Sequence, residues 1–168
     1  HTFTASVNYT VCLTAKTAAG CSNEKCLTVT TTGAPTQVIL DADITSNQTW
    51  TNDNIYVLQG GCLYVRNNST LTVQPGTVVR GNAAALIVLP GSKLIADGTA
   101  AQPIVFTSNK PAGQRARGDW GGIVLLGKAP INVPGGTATV EGGCTDAIYG
   151  GTDAADNSGI LRYVRIEF

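Results

Sequence analysis

Histidine occurs once in this chain, at position 1, methionine not at all, and charged residues make up only 13% of the sequence. A single histidine excludes Ser-His-Asp triads and zinc sites built on paired histidines. A Cys-x-x-Cys motif and a phosphate-cradling Gly-Lys-Ser/Thr loop are missing as well. There is no apolar run of about 18 residues, the length a membrane-spanning helix needs. Lys plus Arg (11) equals Asp plus Glu (11), so no global field draws the chain to nucleic acid or to an anionic membrane. What is present is 43% apolar and rich in Thr, Gly, Val and Asn, a composition suited to β-structure with many tight turns. The chain opens on His1 with no secretory leader, and we read it as an internal segment of something larger.

Three stretches repeat one another: Leu63–Val73, Leu86–Ala96 and Ile123–Val133. Each holds a short apolar strand, a polar turn and a second strand that begins eight residues after the first. The copies are offset by 23 residues (86 minus 63) and by 37 (123 minus 86). A third strand follows in each, at Thr77–Val79, Ile104–Phe106 and Ala138–Val140, after Pro- and Gly-containing corners. Three strands per turn of roughly twenty-odd residues is parallel β-helix geometry, in which each coil buries its apolar side only by stacking on the next. Leu63, Val65, Leu71, Val73, Val78, Leu86, Val88, Leu94, Ile104, Phe106, Ile123, Leu125, Ile131 and Val140 are expected to point inward. Gln37–Leu58 is read as an irregular capping coil. Two charged, Gly-rich inserts, 110–122 and 141–159, are expected to protrude as loops, and Ile160–Phe168 to begin another coil that ends with an open apolar face.

The first thirty residues follow a different rule. Val7, Tyr9, Val11 and Leu13 alternate with polar residues, and a second alternation carries Leu27 and Val29. If partner numbers sum to 38, Tyr9 faces Val29, Val11 faces Leu27, and Cys12 faces Cys26 on the other side. Opposed Cα atoms in such a pair lie about 4.5 to 5.5 Å apart, within the roughly 4.4 to 6.8 Å that a disulfide spans. A Cys12–Cys26 disulfide is therefore expected, the alternative being two free thiols. Cys62 and Cys144 meet only if their rungs are neighbours, and an odd total leaves one thiol over. Cysteines in a β-rich, charge-poor chain favour an oxidising, extracellular compartment.

The run Tyr9–Cys21 followed by Lys25–Thr30 resembles the last two strands of PKD-type, immunoglobulin-like modules of bacterial surface proteins. Thr30–Thr36 has linker composition. The domain reading is thus 1–32 for the closing hairpin of such a module, 33–36 for a linker, and 37–168 for β-helix coils. Pro75-Gly-Thr-Val78, Pro103–Thr107, Gly118–Lys128, Thr139–Gly143 and Asp156–Phe168 resemble the right-handed parallel β-helix region of large multidomain secreted proteins of Bacteroidota, many of them type IX secretion cargo. That resemblance implies architecture and a cell-surface location more than an activity.

For chemistry, β-helices host polysaccharide lyases and hydrolases, which need paired carboxylates about 5 to 9.5 Å apart or a basic residue beside calcium. The acidic candidates are Asp119, Glu141, Asp146, Asp153 and Asp156, with Arg115, Arg117 and Lys128 nearby in sequence. Set against this, such loops carry charge simply to stay solvated. Arg115, Arg117, Asp119 and Trp120 form the candidate ligand-binding set, Trp120 as a sugar-stacking ring or else a core side chain. Asp153, Asp156 and Asn157 form a candidate calcium set, with a capped turn as the competing role. No other cofactor is expected. The sequence reading is an all-β extracellular structural or adhesive segment, fibre-forming or part of a matrix, partnered by itself or by neighbouring domains. The rival is a carbohydrate-active or glycan-binding β-helix that engages polysaccharide.

Overall fold

The structure is a computed structural model and describes residues 8–30 and 35–168. Gly33 and Ala34 of the expected linker, and Val7 of the first alternation, lie outside the described residues. The chain divides into two compact units, 1–35 and 36–168. Among the described residues there is no α-helix, and so none long and apolar enough to cross a membrane.

In the first unit β1 (Asn8–Lys16) pairs antiparallel with β2 (Ser22–Thr30), placing Tyr9 opposite Val29, Val11 opposite Leu27 and Cys12 opposite Cys26. Cys12 and Cys26 are disulfide-bonded with Cα atoms 4.0 Å apart. The period-two alternation thus sorts the faces, with the cysteines among threonines on one side and Val11, Leu13 and Leu27 on the other. Cys21 is a free, exposed thiol in the connecting turn.

The second unit is a stack of coils with three parallel sheets. The first coil enters by β3 (Thr36–Leu40), passes Ile44, and continues through β4 (Gln48–Trp50) and β5 (Asn54–Leu58). The second is β6 (Cys62–Val65), β7 (Thr70–Val73) and β8 (Val78–Gly81), and the third is β9 (Ala85–Val88), β10 (Lys93–Asp97) and β11 (Ile104–Ser108). Sheet one holds β6, β9 and β12 (Ile123–Leu125), sheet two β4, β7, β10 and β15 (Gly159–Arg162), and sheet three β3, β5, β8, β11 and β16 (Val164–Ile166). Cys62 pairs with Ala85 and Thr70 with Lys93, which is the 23-residue offset read from the sequence (85 minus 62, 93 minus 70).

Identical parity from coil to coil builds inward columns. Leu63, Leu86 and Ile123 stack in sheet one, and Leu71 and Leu94 in sheet two. Tyr56, Val79 and Phe106 stack in sheet three, over the Trp50–Tyr56 ring pair of the capping coil. Leu71, Leu86, Leu94 and Phe106 are fully buried. Removing this much apolar surface from water is what holds a coil to its neighbour.

Three expectations need correction. Val79, not Val78, points inward, because the Pro75-Gly76 corner turns Thr77 into the core and shifts the parity by one. The fourth coil is completed by β15 and β16, so Ile160–Phe168 finishes a coil and does not begin one. Ile131–Val133 forms no strand, and Ala138–Val140 supplies β13 (Ala138–Thr139), which pairs antiparallel with β14 (Ile148–Tyr149) outside the stack. Ile131 and Val140 accordingly do not join the inner columns of the stack. The corner between sheets one and two explains the difference. It demands a left-handed residue, met by Asn68 (φ 56°) and Gly91 (φ 90°), but Lys128 stands at the corresponding place in the third copy. The chain leaves the coil there and returns only at Ser158.

Candidate functional site

The first insert leaves between β11 and β12 and is organised by Asp119. Its carboxylate, with a side chain only 5% exposed, accepts from Lys110 Nζ at 2.7 Å, Ser108 Oγ at 2.6 Å and the Ala116 N–H at 2.9 Å. The Lys110 ammonium first, then the Ser108 hydroxyl and the Ala116 amide, hold its pKa down to about 2. A carboxyl so held stays ionised at neutral pH and offers no proton to a leaving group. Beside it Arg115 donates from Nε to the Lys110 carbonyl at 3.0 Å and from Nη1 to Thr107 Oγ1 at 3.3 Å. Thr107 donates in turn to Glu167 at 3.1 Å, and Glu167 also pairs with Arg165. Arg117 is exposed and makes no hydrogen bond or ion pair among the described residues.

Trp120 belongs to the core. Its ring fills the space above Gly81, where a Cβ would lie 2.4 Å from the Trp120 Cβ, and its indole N–H donates to the Glu167 carbonyl at 2.9 Å. At 7% exposure it packs in the core, the second of the two roles its sequence context offered. The loss of a side chain at Gly81, in the column below Ser108, is what admits it.

The second insert is longer than the expected 141–159: residues 127–158 fold as a flap against the outer face of sheet one. Tyr64 and Ile87 point outward there and pack with Leu126 and Ala147, joined by Val124, Val140 and Tyr149. Cys144 is disulfide-bonded to Cys62, and Asp146 meets Arg66 at 3.2 Å while Arg66 also reaches Asp43 at 3.0 Å. Between flap and last coil lies a cleft of about 470 Å³, lined by Val124, Leu125, Leu126, Thr139, Val140, Glu141 and Tyr149.

The candidate calcium set sits at the base of the flap, capping turns. Asp156 Oδ2 accepts the Lys128 N–H at 3.0 Å, Asp153 Oδ1 the Ala155 N–H at 3.0 Å, and Asn157 Oδ1 the Gly159 N–H at 2.8 Å. Among the described residues the close triplet of His, Cys, Asp or Glu atoms is Cys12, Glu24 and Cys26, two of which are spent in a disulfide. Asp153, Asp156 and Asn157 thus each cap a turn through one side-chain oxygen.

Sequence reasoning missed Arg80, whose Nε is buried without a hydrogen bond on the outer side of sheet three, in register with Thr107. It also missed the Arg66 and Asp97–Arg162 ion pairs, the latter at 2.5 and 2.8 Å. Strand parity assigns Arg80 outward once Val79 is known to face inward. The ion pairs join positions 23 (Asp43 and Arg66), 65 (Asp97 and Arg162) and 80 (Arg66 and Asp146) residues apart and carry no local signal.

Stacked parallel sheets with loop inserts on the flank define the class: a parallel β-helix solenoid. The comparisons agree. Residues 42–168 match the family described as the pectate-lyase like beta helix domain, and the chain belongs to that family. No curated protein and no solved structure matches it.

Proposed function

We propose that this chain is a non-enzymatic, extracellular structural or adhesive segment, in which a right-handed β-helix stem follows the closing hairpin of an Ig-like, PKD-like module. A multidomain surface protein of Bacteroidota exported by type IX secretion is the setting we infer from the sequence resemblance. Its partners are neighbouring domains or further copies of itself. The observation that carries the reading is the fate of the loop acids. Asp119, Asp146, Asp153 and Asp156 each accept a structural bond, leaving Glu141 as the one acid of that set without one. A carboxylate pair for acid–base work stands about 5 to 9.5 Å apart with one member able to give a proton, and Asp119, its side chain 5% exposed, is held ionised. Family membership does not supply the missing pair, since function resides in the site and not in the fold. The test is direct: with polygalacturonate and calcium, the protein should release neither unsaturated sugars nor reducing ends. Turnover that survives repurification and is lost on mutation of Glu141 would sink the proposal.

A second reading, glycan binding without turnover, is favoured by one observation. Arg80 holds a buried Nε with no acceptor, in register with Thr107, which Arg115 also reaches, while Arg117 stands free. Guanidinium groups in that state suit carboxylated sugars. Retention on immobilised polygalacturonate that weakens with salt and vanishes in Arg115→Ala/Arg117→Ala would establish it.

A further inference from the structure

The flap joins the stack in an unusual way. In the second and third coils, residues 66–69 and 89–92 suffice to connect sheet one to sheet two, whereas the fourth coil uses residues 126–158. That segment runs back to the second coil, where Cys62, Tyr64 and Arg66 receive it. Its own secondary structure is a pair of two-residue strands, too little to be stable alone. Glycine pairs with positive φ interrupt it at Gly135-Gly136 and Gly142-Gly143, where a Cβ would meet nothing within 4 Å, and at Gly150-Gly151, which packs against Gly136, Ile131 and Lys128. The ties at its tip are few. They are the Cys62–Cys144 disulfide, the half-exposed Arg66–Asp146 pair, the packing of Ala147, a small side chain, and the partly buried Val140 and Tyr149 beside it. Exposed ion pairs contribute little, so the covalent bond dominates. Neither cysteine is fully buried, which leaves the disulfide open to attack by a thiolate.

We propose that residues 127–158 form a redox-latched flap, locked over the outer face of sheet one by Cys62–Cys144 and released by its reduction. A dithiol reductant supplies the two electrons. Its thiolate attacks one sulfur and breaks the Cys62–Cys144 bond, forming a mixed disulfide. Its second thiol then displaces that sulfur, leaving two protein thiols and an oxidised reductant. Release uncovers the apolar strip of Tyr64, Ile87 and Val124 and opens the cleft beside Leu126. The coils themselves stay folded, because their columns and ladders do not pass through the flap.

The test uses the full chain with Cys12→Ser, Cys21→Ser and Cys26→Ser, so that the latch is the one disulfide left. Oxidised protein is compared with protein reduced and alkylated under native conditions, modification of both Cys62 and Cys144 being verified by mass. On reduction, amide exchange at Val140 should accelerate by about a hundredfold or more. An apolar dye should bind, and protease should cut within 135–151, while amides of β10 and β11 keep their protection. Reoxidation of unalkylated protein should reverse all of this. In Arg66→Ala the oxidised flap should stay closed. Unchanged exchange at Val140 after confirmed alkylation overturns the proposal, because packing alone would then hold the flap. Loss of protection throughout the coils overturns it too, making the disulfide a staple of the whole solenoid.

Discussion

The two faces of β6 and β9 are buried to the same degree by very different covers. Inward, Leu63 and Leu86 are 2% and 0% exposed, beneath strands that share backbone ladders with their neighbours on successive coils. Outward, Tyr64 and Ile87 are 8% and 1% exposed, beneath a glycine-jointed flap tied down at Cys144 and Asp146. Burial alone would rank the two faces as equals. Free energy of opening does not, because a cover stabilises only as strongly as it is itself held, and proteins open locally where contacts are few. The interior belongs to the cooperative unit, and the exterior can open without it.

The comparison breaks most sharply under truncation of adjacent residues. Leu86→Ala removes a fully buried side chain from the inner column and should cost about 3 to 5 kcal/mol of global stability, read from denaturant midpoints. Ile87→Ala deletes an equally buried side chain one residue away, yet its cost, about 2 kcal/mol, should appear chiefly as flap opening. Exchange at Val140 should rise in Ile87→Ala while the global midpoint moves little. Equal midpoint shifts in both variants would erase the distinction between the faces.

A middle-sized effect tests the one place where an insert enters the interior. Gly81→Ala sets a methyl group 2.4 Å from the Trp120 Cβ and 2.6 Å from two of its ring atoms, in a side chain that belongs to the core cluster. Overpacking of this kind should cost about 1 to 3 kcal/mol. Trp120 should be displaced, seen as a red-shifted and quenchable indole emission. Trp50, the other tryptophan, lies in the capping coil and should keep its buried signal.

Much of the interior was legible in the sequence because columns repeat. Leu63, Leu86 and Ile123 announce themselves by spacing, and the Cys12–Cys26 pairing follows from one hairpin register. The exterior was not, for reasons that are physical. Ile131-Asn-Val133 has the right residues for a second strand, but Lys128 at the corner cannot take the left-handed turn as cheaply as Asn68 or Gly91. Trp120 is open in sequence to stacking on a sugar or packing in the core, and Gly81, 39 residues earlier (120 minus 81), is what leaves room for the second. Cys62 and Cys144 are 82 residues apart, and only the return of the flap across two coils brings them together. Of the candidate site, Asp119 and Arg115 were found for the charge they carry, and their hydrogen bonds then assigned them a structural task.

The smallest effect concerns the other insert, where the same contrast recurs on an electrostatic scale. The Asp119 carboxylate is held near pKa 2 by Lys110, Ser108 and the Ala116 N–H, below its ordinary value of 3.8. A depressed folded-state pKa means that this contribution is fully present above the unfolded value. It should fade as pH falls from about 4 through 2, when the carboxylate takes up a proton and the loop loses its anchor. Because Trp120 follows Asp119 directly and is fixed in the core, the loosening should stop there and spread toward Lys110 instead. Protease cleavage within 110–118 should therefore increase over that pH interval, using an acid-active enzyme, with the core amides of β10 unaffected. In Asp119→Asn the loop should already be open at pH 7 and show no further response to acid. An Asn variant whose cleavage still rises with acid would show that Asp119 is not the anchor.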